Sequence, residues 1–140
     1  MTTATTNTNV PIGLALKEAA IAGAIAAVIN FIFFYVARLI IGGPLSVVDS
    51  PVGESIGIVP ILLFSIIPAL VAGVLYWALD KFLANPNPAF LGISALVFIG
   101  FIFGPISSAA NPAIGWILEI MHGVVAVPVI MAMLSLKAKI

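Results

Sequence analysis

The stretch Ile114-Gly-Trp-Ile-Leu-Glu119-Ile-Met-His122-Gly-Val-Val-Ala-Val-Pro128-Val-Ile-Met-Ala-Met-Leu-Ser-Leu136 decides the fold. It is apolar for more than the roughly 20 residues that carry a helix across the hydrocarbon of a bilayer. Inside it lie the only histidine of the chain and one carboxylate, Glu119. Ionisable groups are costly at membrane depth, need partners, and mark functional sites.

The rest of the chain repeats the pattern of this run. The 140 residues are 63% hydrophobic and 7% charged, and the mean hydropathy is +1.31. Soluble domains carry about 25% charged residues. A chain this apolar cannot cover a water-facing surface, so it reads as an integral membrane protein of one domain. Formal net charge is zero, and five basic residues scattered along the chain leave no footprint for nucleic acid. There is no cysteine, which excludes disulfides, thiolate metal sites and cysteine nucleophiles.

Residues 1–12 are rich in Thr and Asn and read as a disordered polar tail. They lack the basic n-region of a signal peptide, and the apolar run that follows is too long for an h-region. Residues 13–140 form the membrane domain, with spans expected at about 19–41, 58–79, 90–109 and 114–136. Gly42-Gly43-Pro44 ends the first span, since glycine suits a helix C-terminus and proline cannot continue the ladder. The loop then runs to Ser55, and Ser50-Pro51-Val52-Gly53 could open a short surface helix. Pro60 fits the first turn of the second span, and Pro68 should kink its interior. Asp80-Lys81 and Asn85-Pro86-Asn87-Pro88 make a short connection, and Ser107 to Pro112 reads as the last turn. Tyr35, Tyr76 and Trp77 read as interfacial anchors.

Lys17, Lys81, Lys137 and Lys139 fall on one side of these spans and Arg38 alone on the other. The lysine-rich side should be cytoplasmic. The expected fold is therefore all-α: a transmembrane four-helix, up-down-up-down bundle with both termini cytoplasmic. Small residues at four-residue spacing let helix backbones approach in lipid. The candidates for that packing are Gly23 and Ala27, Ala69 and Gly73, and Gly100 and Gly104, with Gly115 and Gly123 two such steps apart on the last span.

Gly115, Glu119, His122 and Gly123 share one helical stripe, small and polar enough to face other helices. Counted from the outer ends of their spans, Arg38 lies about 5 Å deep, Glu119 about 7 Å, His122 about 12 Å and Asn30 about 16 Å. Matching depths suggest an Arg38–Glu119 ion pair and a hydrogen bond from His122 to Asn30 or to a backbone carbonyl. This polar cluster could be structural glue, an ion or proton pathway, or a pigment or haem site with His122 as axial ligand.

Metal and catalytic chemistry find little support. Glu119-x-x-His122 has the spacing of di-iron bundles, but no other span supplies a glutamate. No nucleophile–histidine–acid triad and no glycine-rich phosphate loop are visible. No metal, cofactor or catalytic residue is expected.

The proline-bearing second span (Val59-Pro60 to Pro68-Ala69-Leu70) and the Met121-His122 pair of the last span carry a resemblance. From about Leu14 onward the chain resembles an uncharacterised bacterial family of small four-helix membrane proteins of unknown function. That family's last helix has Met-His, a short apolar gap and paired small residues. Here Met121-His122-Gly123-Val124-Val125-Ala126 is followed by Val127 where a second small residue belongs. The resemblance implies the four-span topology and a bacterial inner membrane, and no reaction.

The reading that follows is a non-enzymatic multi-pass protein. Its partners are the bilayer and either further copies of itself or other membrane subunits. The alternative is a small transporter or ion/proton channel using Glu119 and His122. The orientation has a direct test in this cysteine-free chain. An impermeant thiol reagent applied from outside should label Ser46→Cys and not Asn87→Cys; the reverse pattern would invert the topology.

Overall fold

The computed structural model describes residues 9–45, 56–109 and 112–140. The polar segment 1–8 and the Ser50–Gly53 helix considered above lie outside them. Four α-helices follow in order: α1 (Ile12–Ile41), α2 (Ile58–Phe82), α3 (Asn87–Ser108) and α4 (Pro112–Leu134). A short 3-10 turn, Leu136–Lys139, closes the chain. All four helices are long and apolar enough to cross a membrane, and no strand occurs among the described residues.

Two boundaries differ from the sequence reading. Helix α1 begins at Ile12, seven residues before the expected span, so it carries Lys17 and Glu18 on its first turns. Val10, assigned above to the polar tail, is buried. Its amide N–H donates to Asp80 Oδ2 at 2.6 Å, which holds the segment against the end of α2. Helix α3 runs through Pro105 to Ser108, so Ser107 is helical rather than part of a turn. Its hydroxyl bonds back to the Phe103 carbonyl at 2.6 Å, a use of serine that competes with turn formation. Gly42 ends α1 as expected. It sits in the left-handed region (φ 74°), and its N–H reaches the Arg38 carbonyl at 3.0 Å.

The bundle is built on the seam between α1 and α2. Ala15, Ala19, Gly23, Ala26 and Ala27 are buried on α1, and Ser65, Ala69 and Gly73 are buried on α2. A Cβ added to Gly73 would stand 2.8 Å from Ala19 Cβ and 3.1 Å from the Ala15 carbonyl oxygen. One added to Gly23 would stand 2.9 Å from Ala69 Cβ and 3.3 Å from the Ile66 Cα. The backbones therefore touch where the side chains vanish. Lipid tails are as apolar as the helices, so this close van der Waals fit, and no hydrophobic force, holds the two together.

Helix α4 closes against α1. One apolar cluster gathers Phe34, Ala37, Leu45, Ile61, Ile114 and Met121, and a second, at the other end, includes Val10, Tyr76, Phe90, Val129 and Met133. Helix α3 is peripheral: 6% of its membrane window is buried inside the fold, against 22–28% for the other three.

This arrangement corrects part of the packing set. Gly23, Ala27, Ala69 and Gly73 pack as their spacing suggests, and Gly115 is buried. A Cβ at Gly100, Gly104 or Gly123 would meet nothing within 4 Å. The four-residue spacing marks a small-residue face, but α3 turns that face away from the other helices. Tyr76 is also corrected. It is fully buried, stacks edge-on with Phe90 (5.4 Å, 75°) and donates to Asn87 Oδ1 at 2.6 Å, so it is no interfacial anchor.

Replacing Gly73 with Leu should destabilise the protein by about 1–3 kcal/mol or more, because backbone cannot yield as a side-chain tip can. Gly100→Leu should leave the fold's stability within about 0.5 kcal/mol. Thermal unfolding of both variants in the same detergent checks the contrast, and equal losses would contradict the seam.

Candidate functional site

Asn30 is the polar hub of the bundle. The α1 stripe that buries Ala19, Gly23, Ala26 and Ala27 also carries Asn30 inward, where it is 3% exposed. Its Nδ2 donates to the Met121 carbonyl on α4 at 3.1 Å and to Ser65 Oγ on α2 at 3.3 Å. The Ser65 hydroxyl has one proton, which it gives to the Ile61 carbonyl at 2.8 Å, so towards Asn30 it can only accept. Both partners of Asn30 are thus acceptors, which sets the orientation of its amide. One side chain ties three helices. Its Oδ1 has no partner among the described residues.

His122 does not meet Asn30. Its Nδ1 lies 2.7 Å from the Leu118 carbonyl, one turn back on the same helix. A carbonyl only accepts, so Nδ1 carries the proton. The ring stacks on Phe101 at 6.0 Å with an interplanar angle of 24°, so it joins α4 to α3 instead of α1.

The Arg38–Glu119 ion pair does not form. The Asn30–Met121 bond sets the level of α1 against α4. Arg38 is eight residues beyond Asn30, about 12 Å, while Glu119 is two residues from Met121, about 3 Å in the same direction. A gap of about 9 Å along the bundle is left between them. Depth counted from helix ends misses this, because it assumes that the ends are level. Arg38 instead lies over the Phe34 ring, 5.6 Å from its centroid. Glu119 is 8% exposed, and neither of its carboxyl oxygens has a hydrogen-bond partner among the described residues.

Beside Glu119 a groove of about 600 Å³ opens on the outside of the bundle. Ile29 of α1, Phe98 of α3, and Trp116, Ile120 and Val124 of α4 form its walls, and Glu119 is its one ionisable residue. No three His, Asp or Glu side chains come together to hold a metal among the described residues.

A second polar node lies at the opposite end of the bundle. The Asp80 side chain is fully buried, and its Oδ1 pairs with Lys137 Nζ at 2.6 Å. With the Val10 amide on Oδ2, this carboxylate clasps both the segment before α1 and the segment after α4. Lys139 pairs with Glu18 at 2.7 Å nearby. The sequence reading left Asp80 in a connection. The signal for it was present: Ile61, Ser65, Ala69, Gly73, Tyr76 and Asp80 recur every three or four residues, so the buried stripe of α2 runs through Asp80.

Comparison with known proteins adds one match. The model described as "Family of unknown function (DUF6069)" matches residues 12–139. No curated protein and no solved structure matches the chain.

Removing one partner of a buried ion pair strands the other, at about 3–5 kcal/mol. Lys137→Met should therefore cost more stability than Asp80→Asn combined with Lys137→Met. It should also expose the segment around Val10 to protease in detergent. A double variant less stable than the single one would show that Asp80 does not depend on Lys137.

Proposed function

Because the chain belongs to DUF6069, a family of unknown function, its role has to be read from its own geometry, and we propose that it is a non-enzymatic helix-presenting protein of a bacterial cytoplasmic membrane. In this reading it works as a homo-oligomer or as an accessory subunit of a larger membrane complex. It crosses the bilayer up-down-up-down with both termini in the cytoplasm. Lys137 and Lys139 pair with Asp80 and Glu18, so the lysines gather at one end of the bundle with Arg38 at the other, which supports that orientation.

The observation that carries the proposal is the exposure of α3. A helix with 6% of its window buried leaves most of its surface uncovered by the fold, and Gly92 and Gly100 leave it room for close approach by another helix. Helices in lipid associate by such packing, and a chain with almost no mass outside the membrane has its helix faces to work with. The competing pathway through Glu119 and His122 has less behind it. A path for ions or protons needs water or a polar lining, whereas the Glu119 oxygens are sealed and the groove beside them is apolar.

Extraction in a mild detergent should give a particle heavier than the 14.5 kDa chain, as repeated copies or with a second subunit. Ile99→Cys, on the exposed surface of α3, should cross-link within that particle. A monodisperse single chain that carries no other protein and does not cross-link in native membranes would sink the proposal.

A further inference from the structure

The groove at Glu119 is shallow and open to the outside of the bundle, with the volume and apolar lining of a small-molecule site. Its volume of about 600 Å³ falls in the range of about 300–1,000 Å³ typical of ligand pockets. Its walls are apolar and include two aromatic faces, Phe98 and Trp116. Such faces attract cations as well as apolar surface. The one ionisable residue in the wall is Glu119, and both its oxygens lack a donor.

The described residues do not supply that donor. Asn30 spends its Nδ2 on Met121 and Ser65. The His122 Nδ1 proton is committed to Leu118. Arg38 lies about 9 Å away along the bundle by the helix rise. A carboxyl group left without a donor in an apolar setting is costly unless something completes it. Among the described residues nothing completes it, and the groove is where an outside partner can enter.

The geometry points to a lipophilic cation as the occupant: a compact, membrane-soluble molecule whose apolar body fills the groove and whose positive centre pairs with Glu119. Trp116 is 60% exposed and Ile120 51%, so such a molecule reaches the groove from the bilayer without crossing a packed interface. The carboxyl oxygens lie beneath the wall, so the pairing requires the Glu119 side chain to turn towards the groove. A basic transmembrane helix offers the same charge. It needs a contact several turns long, and the volume of this groove fits a small molecule better. This inference is independent of the assembly surface assigned to α3.

The test uses the full chain in lipid nanodiscs, with Trp77→Phe so that Trp116 is the sole tryptophan. Tetraphenylphosphonium is titrated against tetraphenylborate, which has nearly the same shape and the opposite charge, and empty nanodiscs subtract partitioning into lipid. Saturable quenching of Trp116 by the cation, at one per chain, is expected. E119Q should weaken it at least tenfold while thermal unfolding stays cooperative, and the borate should give no saturable signal. The proposal is overturned by saturable binding that E119Q leaves intact, by equal binding of both ions, or by no signal beyond empty discs. Should E119Q fail to fold, Val124→Trp fills the groove while sparing the carboxyl group. Binding by tritiated tetraphenylphosphonium must then vanish, and its survival overturns the proposal. A photo-reactive group at Ile120 that captures a stoichiometric partner chain overturns it in favour of a basic helix.

Discussion

The contact between the backbones of α1 and α2 at Gly23 and Gly73 sets the register on which the other contacts depend. At both glycines an added methyl group would collide with a neighbour's Cβ or main chain. Helices in lipid gain nothing from hiding apolar surface from water, so only close fit and hydrogen bonding can choose one register among many. Once Gly73 sits on Ala19, Asn30 falls opposite Ser65 and Val10 falls opposite Asp80. The polar contacts follow from the steric one. Each adds little by itself, since interhelical hydrogen bonds in membranes average about 0.6 kcal/mol.

The two buried carboxylates differ in a way that bears on function. Asp80 has a lysine on one oxygen and a backbone amide on the other, and its position near the end of α2 lets it hold both ends of the membrane domain. Its charge is met within the chain by Lys137. Glu119 is nearly as buried, yet among the described residues it has neither cation nor donor. Natural folds rarely leave such a group unsatisfied without cause. The contrast within one small protein argues that Glu119 is held for an outside partner, while Asp80 is held for the fold.

The spans were legible in the residues because the bilayer imposes a minimum apolar length that Ile114–Leu136 and its three counterparts meet. The Gly/Ala spacing of α1 and α2 was legible too, since glycine or alanine every fourth residue has one obvious use in lipid. The same spacing at Gly100 and Gly104 was ambiguous. A small-residue stripe shows that a helix could be approached closely, and it is silent on whether the approaching helix belongs to the same chain. Asp80 and Tyr76 were obscured for a different reason. Their position near the end of a span suggests an interface, and only the continuation of the α2 stripe from Ile61 reveals that they turn inward.

Four apolar helices were determined by the sequence alone, because a backbone in hydrocarbon must satisfy its own N–H and C=O groups and a helix does so within one segment. Which polar group meets which partner was decided by the tertiary structure. Local pattern specifies the face of a helix on which a side chain lies. It does not specify how far one helix is shifted along another. That shift, set by the Gly23 and Gly73 contacts and by the Asn30–Met121 bond, separates Arg38 from Glu119 and leaves a lone carboxyl group beside an apolar groove.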